Sequence, residues 1–357
     1  MKKIFFCVLF FICFHSLSAQ IINADERLDE YLPKLNNKNV ALVCNHTSVV
    51  KDKHLINLLI ENKINLSLVF TPEHGLTGLS EAGELVGDSS LNIDGKKIKV
   101  VSLYGSNKKP SQQQMRGIDI VVFDIQDVGC RFYTYISTLE YVMLACIENN
   151  APLLVLDRPN PNNYVDGPVL QKEYKSFVGM QSIPVCYGLT IGEYATMINE
   201  EHWVDKERKC DLQIVRLLNY ERDMEVSLPI PPSPNLRTDK AIRNYPTLCF
   251  FEGTSLSVGR GTNTPFEIVG YKPKRSKAIK WKQIDITEKK IDVSLIITIY
   301  REYNGEKKFF NNFFDKLAGN STFRNSIVNH KTEAEIRKSW QKDIENYNSI
   351  RGKYLLY

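Results

Sequence analysis

IDIVVFDIQDVGCRFYTYISTLEYVMLACIENN, residues 118 to 150, passes from a β-branched apolar run through a polar turn into a helical pattern, and the strand-like APLLVLDRPNP of residues 151 to 161 follows at once. A short unbroken apolar run followed by a helix-length segment and a second run reads as strand, crossover helix and strand, both strands buried on two faces. The same grammar starts upstream. NVALVCN (39–45) reads as a strand, HLINLLIENK (54–63) as a helix, and INLSLVFT (64–71) and KIKVVSLYG (97–105) as further strands. The pattern predicts an α/β fold: a Rossmann-like, mostly parallel sheet with helices on both faces.

Beyond Pro161 the periodicity loosens. GLTIGEYATMINEE (188–201) predicts a helix with Thr190 as N-cap and Glu193 closing a capping box. The proline-rich LPIPPSPN (228–235) permits neither helix nor central strand and reads as a rigid connection. A chain of 357 residues exceeds what one core usually serves. The expected division is therefore a Rossmann-like domain over 20–244 and a smaller α+β domain over 245–357, with helical spacing in KIDVSLIITIYREY and in FFNNFFDKLAG, stopped by Gly319.

The first nineteen residues, MKKIFFCVLFFICFHSLSA, carry two lysines, an apolar stretch and a small-residue cleavage site. This layout predicts a signal peptide and a periplasmic or secreted protein. No later run reaches membrane-spanning length, so no transmembrane segment is expected. Lys and Arg total 46 against 41 acidic residues, too mild an excess to argue for nucleic acid. Six of the eight cysteines follow the leader and form no CxxC, which argues against zinc. Cys44, Cys146 and Cys249 lie in apolar runs and read as buried thiols, and no disulfide is assigned among the others.

Ligands of open parallel sheets bind beyond the carboxyl ends of the strands. The five predicted strands end in Asn45-His46-Thr47-Ser48, Pro72-Glu73-His74-Gly75, Leu103-Tyr104-Gly105, Asp124 to Arg131 (with Gln126 and Asp127), and Asp157-Arg158-Pro159-Asn160-Pro161. Taken singly, these residues suit caps, turns and ion pairs equally well. Glu73-His74 stands apart, because Pro72 holds the chain extended and Gly75 permits a sharp turn. Arg131 lies near a helix N-terminus, a place that attracts anions, and Tyr133 and Tyr135 add flat surfaces on which a sugar can rest. The loop SVGRGTNTPFE (257–267) offers Arg260 and Thr262 to a polar ligand. GxSxG and HExxH are absent, which sets aside serine-hydrolase and helical zinc chemistries.

Seven ordered motifs together resemble the NamZ-like exo-β-N-acetylmuramidases, glycoside hydrolases of bacterial cell-wall turnover: FTPEHGLTG, VSLYG, VFDIQDVGCRFYTYISTL, LDRPNPNNYVDGP, PSPN, FFEGTSLSVGRGTNTPFE and RGKYLLY. The resemblance runs from about residue 38 to the end. It implies release of N-acetylmuramic acid from non-reducing ends of peptidoglycan saccharides such as MurNAc-GlcNAc, with no metal or organic cofactor. Glu73 falls on the glutamate of the family's PEHG motif and is expected to be the general acid. His74 then tunes it or holds substrate. Asp127 is expected as the second carboxylate, with Asp124 and Glu84 as competitors. Asn45, Tyr104, Asp124, Gln126, Arg131, Tyr133, Arg158, Asn160, Arg260 and Thr262 are the expected substrate contacts, and Arg131, Arg158 and Arg260 are candidates to grip the lactyl carboxylate. The alternative is a periplasmic amino-sugar or muropeptide-binding protein without catalysis.

Overall fold

Every residue of the strand Ile120–Asp124 is buried, as a two-sided apolar run requires. The computed structural model describes residues 20–357 apart from Ala82, Val86 and Asp94. The predicted leader lies outside the described residues. Seven strands form the main sheet: β1 (Asn39–Cys44), β2 (Asn65–Thr71), β3 (Ser89–Ile93), β4 (Lys96–Ser102), β5 (Ile120–Asp124), β6 (Leu153–Leu156) and β7 (Leu212–Val215). Their order is β7-β6-β5-β1-β2-β4-β3. All neighbours run parallel except the β3–β4 edge pair. The order reverses at β1, whose two neighbours are β2 and β5. The expected mostly parallel sheet is thus present, with β3 an added edge strand.

Side-chain alternation divides the core in two. Val40, Leu42, Cys44, Val122 and Leu154 face one layer, under α1 (Leu28–Leu35) and α2 (Leu55–Glu61). Ala41, Val43, Val121, Phe123 and Val155 face the other. Alternation breaks in β2, where Leu66 and Val69 share the first layer while Leu68 and Phe70 take the second. A register shift at Val40/Ala41 in the β1–β2 pairing accounts for the break.

Against the second layer pack α4 (Tyr135–Asn149) and α5 (Ile191–Glu200), the short α3 (Gln112–Met115) having intervened between β4 and β5. The Thr190–Glu193 capping box is formed as expected. α6 (Asp239–Leu248) follows the proline-rich connection and includes residue 244. The remainder comprises the antiparallel pair β8 (Ile268–Tyr271) and β9 (Lys280–Gln283), then α7 (Val293–Glu302), α8 (Phe313–Ala318), α9 (Thr322–Val328) and α10 (Glu333–Arg351). Gly319 ends α8 in the left-handed region, φ 77°. Phe250, Phe266, Phe314, Phe323 and Trp340 of this smaller unit belong to the same apolar cluster as α4 and the sheet. Among the described residues no helix is long and apolar enough to cross a membrane. All six cysteines after the leader are buried and unbridged.

Two polar contacts join distant parts of the chain. The Tyr357 hydroxyl donates to Asp157 Oδ2 (2.8 Å) and accepts from the Leu217 amide (2.8 Å), closing the ends of β6 and β7. Arg131 is fully buried and donates to four backbone carbonyls: Pro168 (2.8 Å), Ile183 (2.6 Å), Leu317 (2.8 Å) and Ala318 (2.9 Å). The last two end α8, where a cation meets the negative end of the helix dipole. Burial without a carboxylate partner pushes its pKa down to about 9. Arg131 is therefore structural and has no free face for a lactyl carboxylate, contrary to the expectation from its position. Arg131→Ala strands four buried acceptors and is expected to cost roughly 3 kcal/mol or more of stability; urea unfolding midpoints of the variant and the wild type measure it.

Candidate active site

β2 ends at Thr71, and Pro72 carries the chain into a loop at the carboxyl edge of the sheet. His74 then takes a left-handed conformation, φ 72°, followed by Gly75 at φ 69°. A histidine in this region needs its surroundings to hold it there. Its Nδ1 lies 2.6 Å from the Ser80 carbonyl oxygen, which only accepts, so Nδ1 carries the proton. The turn directs the Glu73 carboxyl inward, where it is 8% exposed. Glu73 Oε1 accepts from the Gly83 amide (3.0 Å) and Oε2 from the Thr134 hydroxyl (2.8 Å). Thr134 is the N-cap residue of α4, so the second strand's loop and the helix after the fourth parallel strand meet at this carboxyl. Tyr104 lies alongside: burial first, then the charge of Glu73, push its hydroxyl up to about 12.

The loop is wedged from below. His46 Nε2 lies 2.7 Å from the Pro231 carbonyl oxygen. Gly78, at φ 67°, passes directly over the imidazole, and a Cβ there would come within 2.0 Å of His46 Nδ1. His46 is thus a packing element between the Glu73 loop and the proline-rich connection.

Glu73 opens onto a cavity of about 600 Å³ between the sheet edge and the smaller unit. His74, Tyr104, Tyr133 and Arg260, all candidates from the sequence, share its wall. Lys108, Thr134, Phe177, Ser233, Asn235 and Glu252 also line it and were not singled out. Ser233, Asn235, Thr134 and Glu252 sit inside the quoted motifs, so their signal was present; Lys108 and Phe177 carried none. Glu252 accepts from Arg260 Nε (2.5 Å), and the guanidinium stacks on Phe266 with its carbon 5.1 Å from the ring centroid.

The other expected site residues lie off this wall. Asp127 is buried, with Oδ2 accepting from the Gly129 amide (2.7 Å) and from the Tyr187 hydroxyl, and it has no place in the cavity lining. Burial pushes its pKa up to about 7. The expected role in activating water there is corrected: Asp127 anchors the turn before α4. Arg158 pairs with both Asp124 and Asp25 at 2.7 Å, a buried triad that occupies Asp124 as well. Asn45 donates to the Tyr135 hydroxyl (3.1 Å) and accepts from Thr47, while Asn160 donates to the Leu189 carbonyl (2.8 Å). Thr262 donates to the Gly259 carbonyl (2.6 Å) within its own turn. Gln126 donates to the Asp127 and Pro159 carbonyls and, with Arg158, borders a different cavity of about 460 Å³. These side chains satisfy backbone groups or one another, which is why polar residues at strand ends overstated the site. Glu84 binds the Glu81 amide (2.9 Å) and is absent from the cavity wall. No group of three His, Cys, Asp or Glu with metal-holding geometry occurs among the described residues.

A buried carboxyl on the wall of an aromatic-lined cavity, set at the carboxyl edge of a Rossmann-like sheet, is compatible with a glycosidase site. The chain belongs to the NamZ exo-β-N-acetylmuramidase family: residues 40–240 match its N-terminal domain, and residues 243–285 and 280–357 its C-terminal domain. It is 37% identical to the peptidoglycan β-N-acetylmuramidase NamZ of Bacillus subtilis (strain 168), over 93% of this chain and 90% of that protein. Two crystal structures of DUF1343 family proteins from Bacteroides fragilis NCTC 9343 are similar throughout. One has 38% identity and a TM-score of 0.83, covering 95% of this chain and 99% of that one. The other has 28% identity and a TM-score of 0.80, covering 94% and 99%.

The buried Asp127 makes stability depend on pH. Its carboxyl keeps its proton in the fold up to about pH 7, whereas in the unfolded chain it ionises near the ordinary aspartate value of 3.8. The folded state therefore binds more protons between these values, and its contribution to stability falls as pH rises across that window and levels off above it. Asp127→Asn is expected to flatten this slope, so that the variant's Tm relative to wild type is higher at pH 8 than at pH 5; calorimetry at the two pH values measures it.

Proposed function

We propose that the chain is an exo-acting glycoside hydrolase that releases N-acetylmuramic acid from the non-reducing ends of peptidoglycan fragments, outside the cytoplasm, in cell-wall turnover. The observation that carries this reading is the Glu73 carboxyl, held by Thr134 and Gly83 at the wall of a sugar-sized cavity. The activity named for the Bacillus relative supports the substrate class, and the charged leader at residues 1–19 supports export.

In this mechanism Glu73 gives its proton to the glycosidic oxygen as the bond to the anomeric carbon breaks; water then adds to that carbon and gives up a proton that returns to the Glu73 carboxylate. A hydroxyl both donates and accepts, so Thr134 turns with the protonation state of Glu73 and stays bonded to it. Of the three arginines considered for the lactyl carboxylate, Arg260 alone lies on the cavity wall. Glu252 holds its Nε, which fixes the plane of the guanidinium and leaves the terminal nitrogens for a bidentate contact.

Glu73→Gln keeps an oxygen to accept from the Gly83 amide and an NH2 that donates to the Thr134 hydroxyl, and is expected to fold while losing roughly 10²–10⁴-fold in turnover. Release of N-acetylmuramic acid from MurNAc-GlcNAc tests it, and near-normal release removes Glu73 from the mechanism. Arg260→Ala is expected to reduce kcat/KM about tenfold or more on a muramic acid glycoside relative to the matching glucosamine glycoside. An equal loss on both would show that Arg260 does not read the lactyl group.

A further inference from the structure

Two aromatic groups line the cavity that Glu73 opens onto, and they differ in enclosure. In one, Tyr133, Tyr245 and Phe266 contact in series, with centroids 5.8 and 5.0 Å apart, and are at most 7% exposed. Arg260 stacks on the Phe266 ring of this group. In the other, Phe177 meets Tyr104 at 6.1 Å and stacks on Tyr141 at 6.2 Å and 27°. Phe177 is half-buried, its carbonyl is held by the Ser137 hydroxyl (2.8 Å), and Lys108 Nζ stands 4.9 Å from its ring centroid. Among the described residues no carboxylate lies within ion-pair distance of Lys108.

A cavity of about 600 Å³ exceeds the space of one pyranose. The buried aromatic group, with its arginine, suits the terminal sugar. The half-buried group suits the chain that leaves. We propose that Phe177 and Lys108 form the acceptor side of this cavity: the Phe177 ring stacks on the sugar released as the leaving group, and Lys108 attracts an anionic substituent on the next sugar of the chain. This rests on the hydrolase reading above and adds the direction in which substrate lies. The cation beside the ring favours an acidic chain over a neutral one, since a carboxylate that reaches it gains charge pairing in a partly desolvated setting. Neither residue touches the reacting atoms, so both act through KM.

The experiment compares N-acetylmuramyl β-fluoride, whose leaving group is a single atom, with MurNAc-GlcNAc and with the tetrasaccharide MurNAc-GlcNAc-MurNAc-GlcNAc. Phe177→Ala is expected to raise KM on the disaccharide roughly tenfold with kcat little changed, and to lose far less on the fluoride. Phe177→Tyr, which keeps the ring, is expected to restore the disaccharide KM to within about twofold of wild type. Lys108→Ala is expected to lose several-fold more on the tetrasaccharide, which carries a second lactyl carboxylate, than on the disaccharide. Equal losses on fluoride and disaccharide for Phe177→Ala, or no rescue by tyrosine, would overturn the stacking role, and equal losses on both saccharides would overturn that of Lys108. A wild-type protein inactive on all three substrates would instead remove the hydrolase reading itself.

Discussion

A guanidinium buried without a counter-ion is costly unless every donor direction is used, and Arg131 comes close by spending its terminal nitrogens on four carbonyls. Two of those carbonyls end α8 in the smaller unit, and Leu317, which provides one of them, also lines the cavity. The width of the cleft is thus set by a contact that faces away from it. Gly319 is part of the same fit, since a Cβ there would come within 2.9 Å of the Arg131 Nη2. Without this stitch the sheet edge would still present Glu73, but no opposing wall would face it at a fixed distance.

The second constraint is local to the Glu73 loop. Left-handed His74, its contact with the Ser80 carbonyl and the close pass of Gly78 over His46 leave the loop few ways to relax. Rigid loops at strand ends hold catalytic side chains without a moving part. The proline-rich connection contributes through backbone atoms: the Pro231 carbonyl receives His46, and the Pro232 carbonyl receives the hydroxyls of Tyr133 and Tyr135. Proline supplies a fixed path and an acceptor while offering no amide that would need a partner.

Much of this was legible in the sequence. Runs such as Ile120–Asp124 announced two-sided strands, the Thr190–Glu193 box announced its helix, and Glu73 between proline and glycine announced a held acid. The arginines misled, because a charge at a strand end looks the same whether it meets a ligand or a carbonyl 187 positions away, as Arg131 does at Ala318. Asp127 misled for a related reason: its partner Tyr187 lies 60 positions on, in a segment with no regular pattern. Lys108 and Phe177 were invisible because nothing in their own neighbourhoods marks them; only the folded chain brings Phe177 beside Tyr104 and Lys108.

The Tyr357 hydroxyl rests on Asp157, 200 positions away, and receives the Leu217 amide. The sheet's outer strands are thereby finished by a residue from the opposite end of the chain. Contacts of such long sequence separation tie the larger unit's completion to the smaller one. Cut off before Tyr357, the larger unit would keep its strands but leave Asp157 Oδ2 and the Leu217 amide without this hydroxyl, so its sheet edge is completed only by the far side of the molecule.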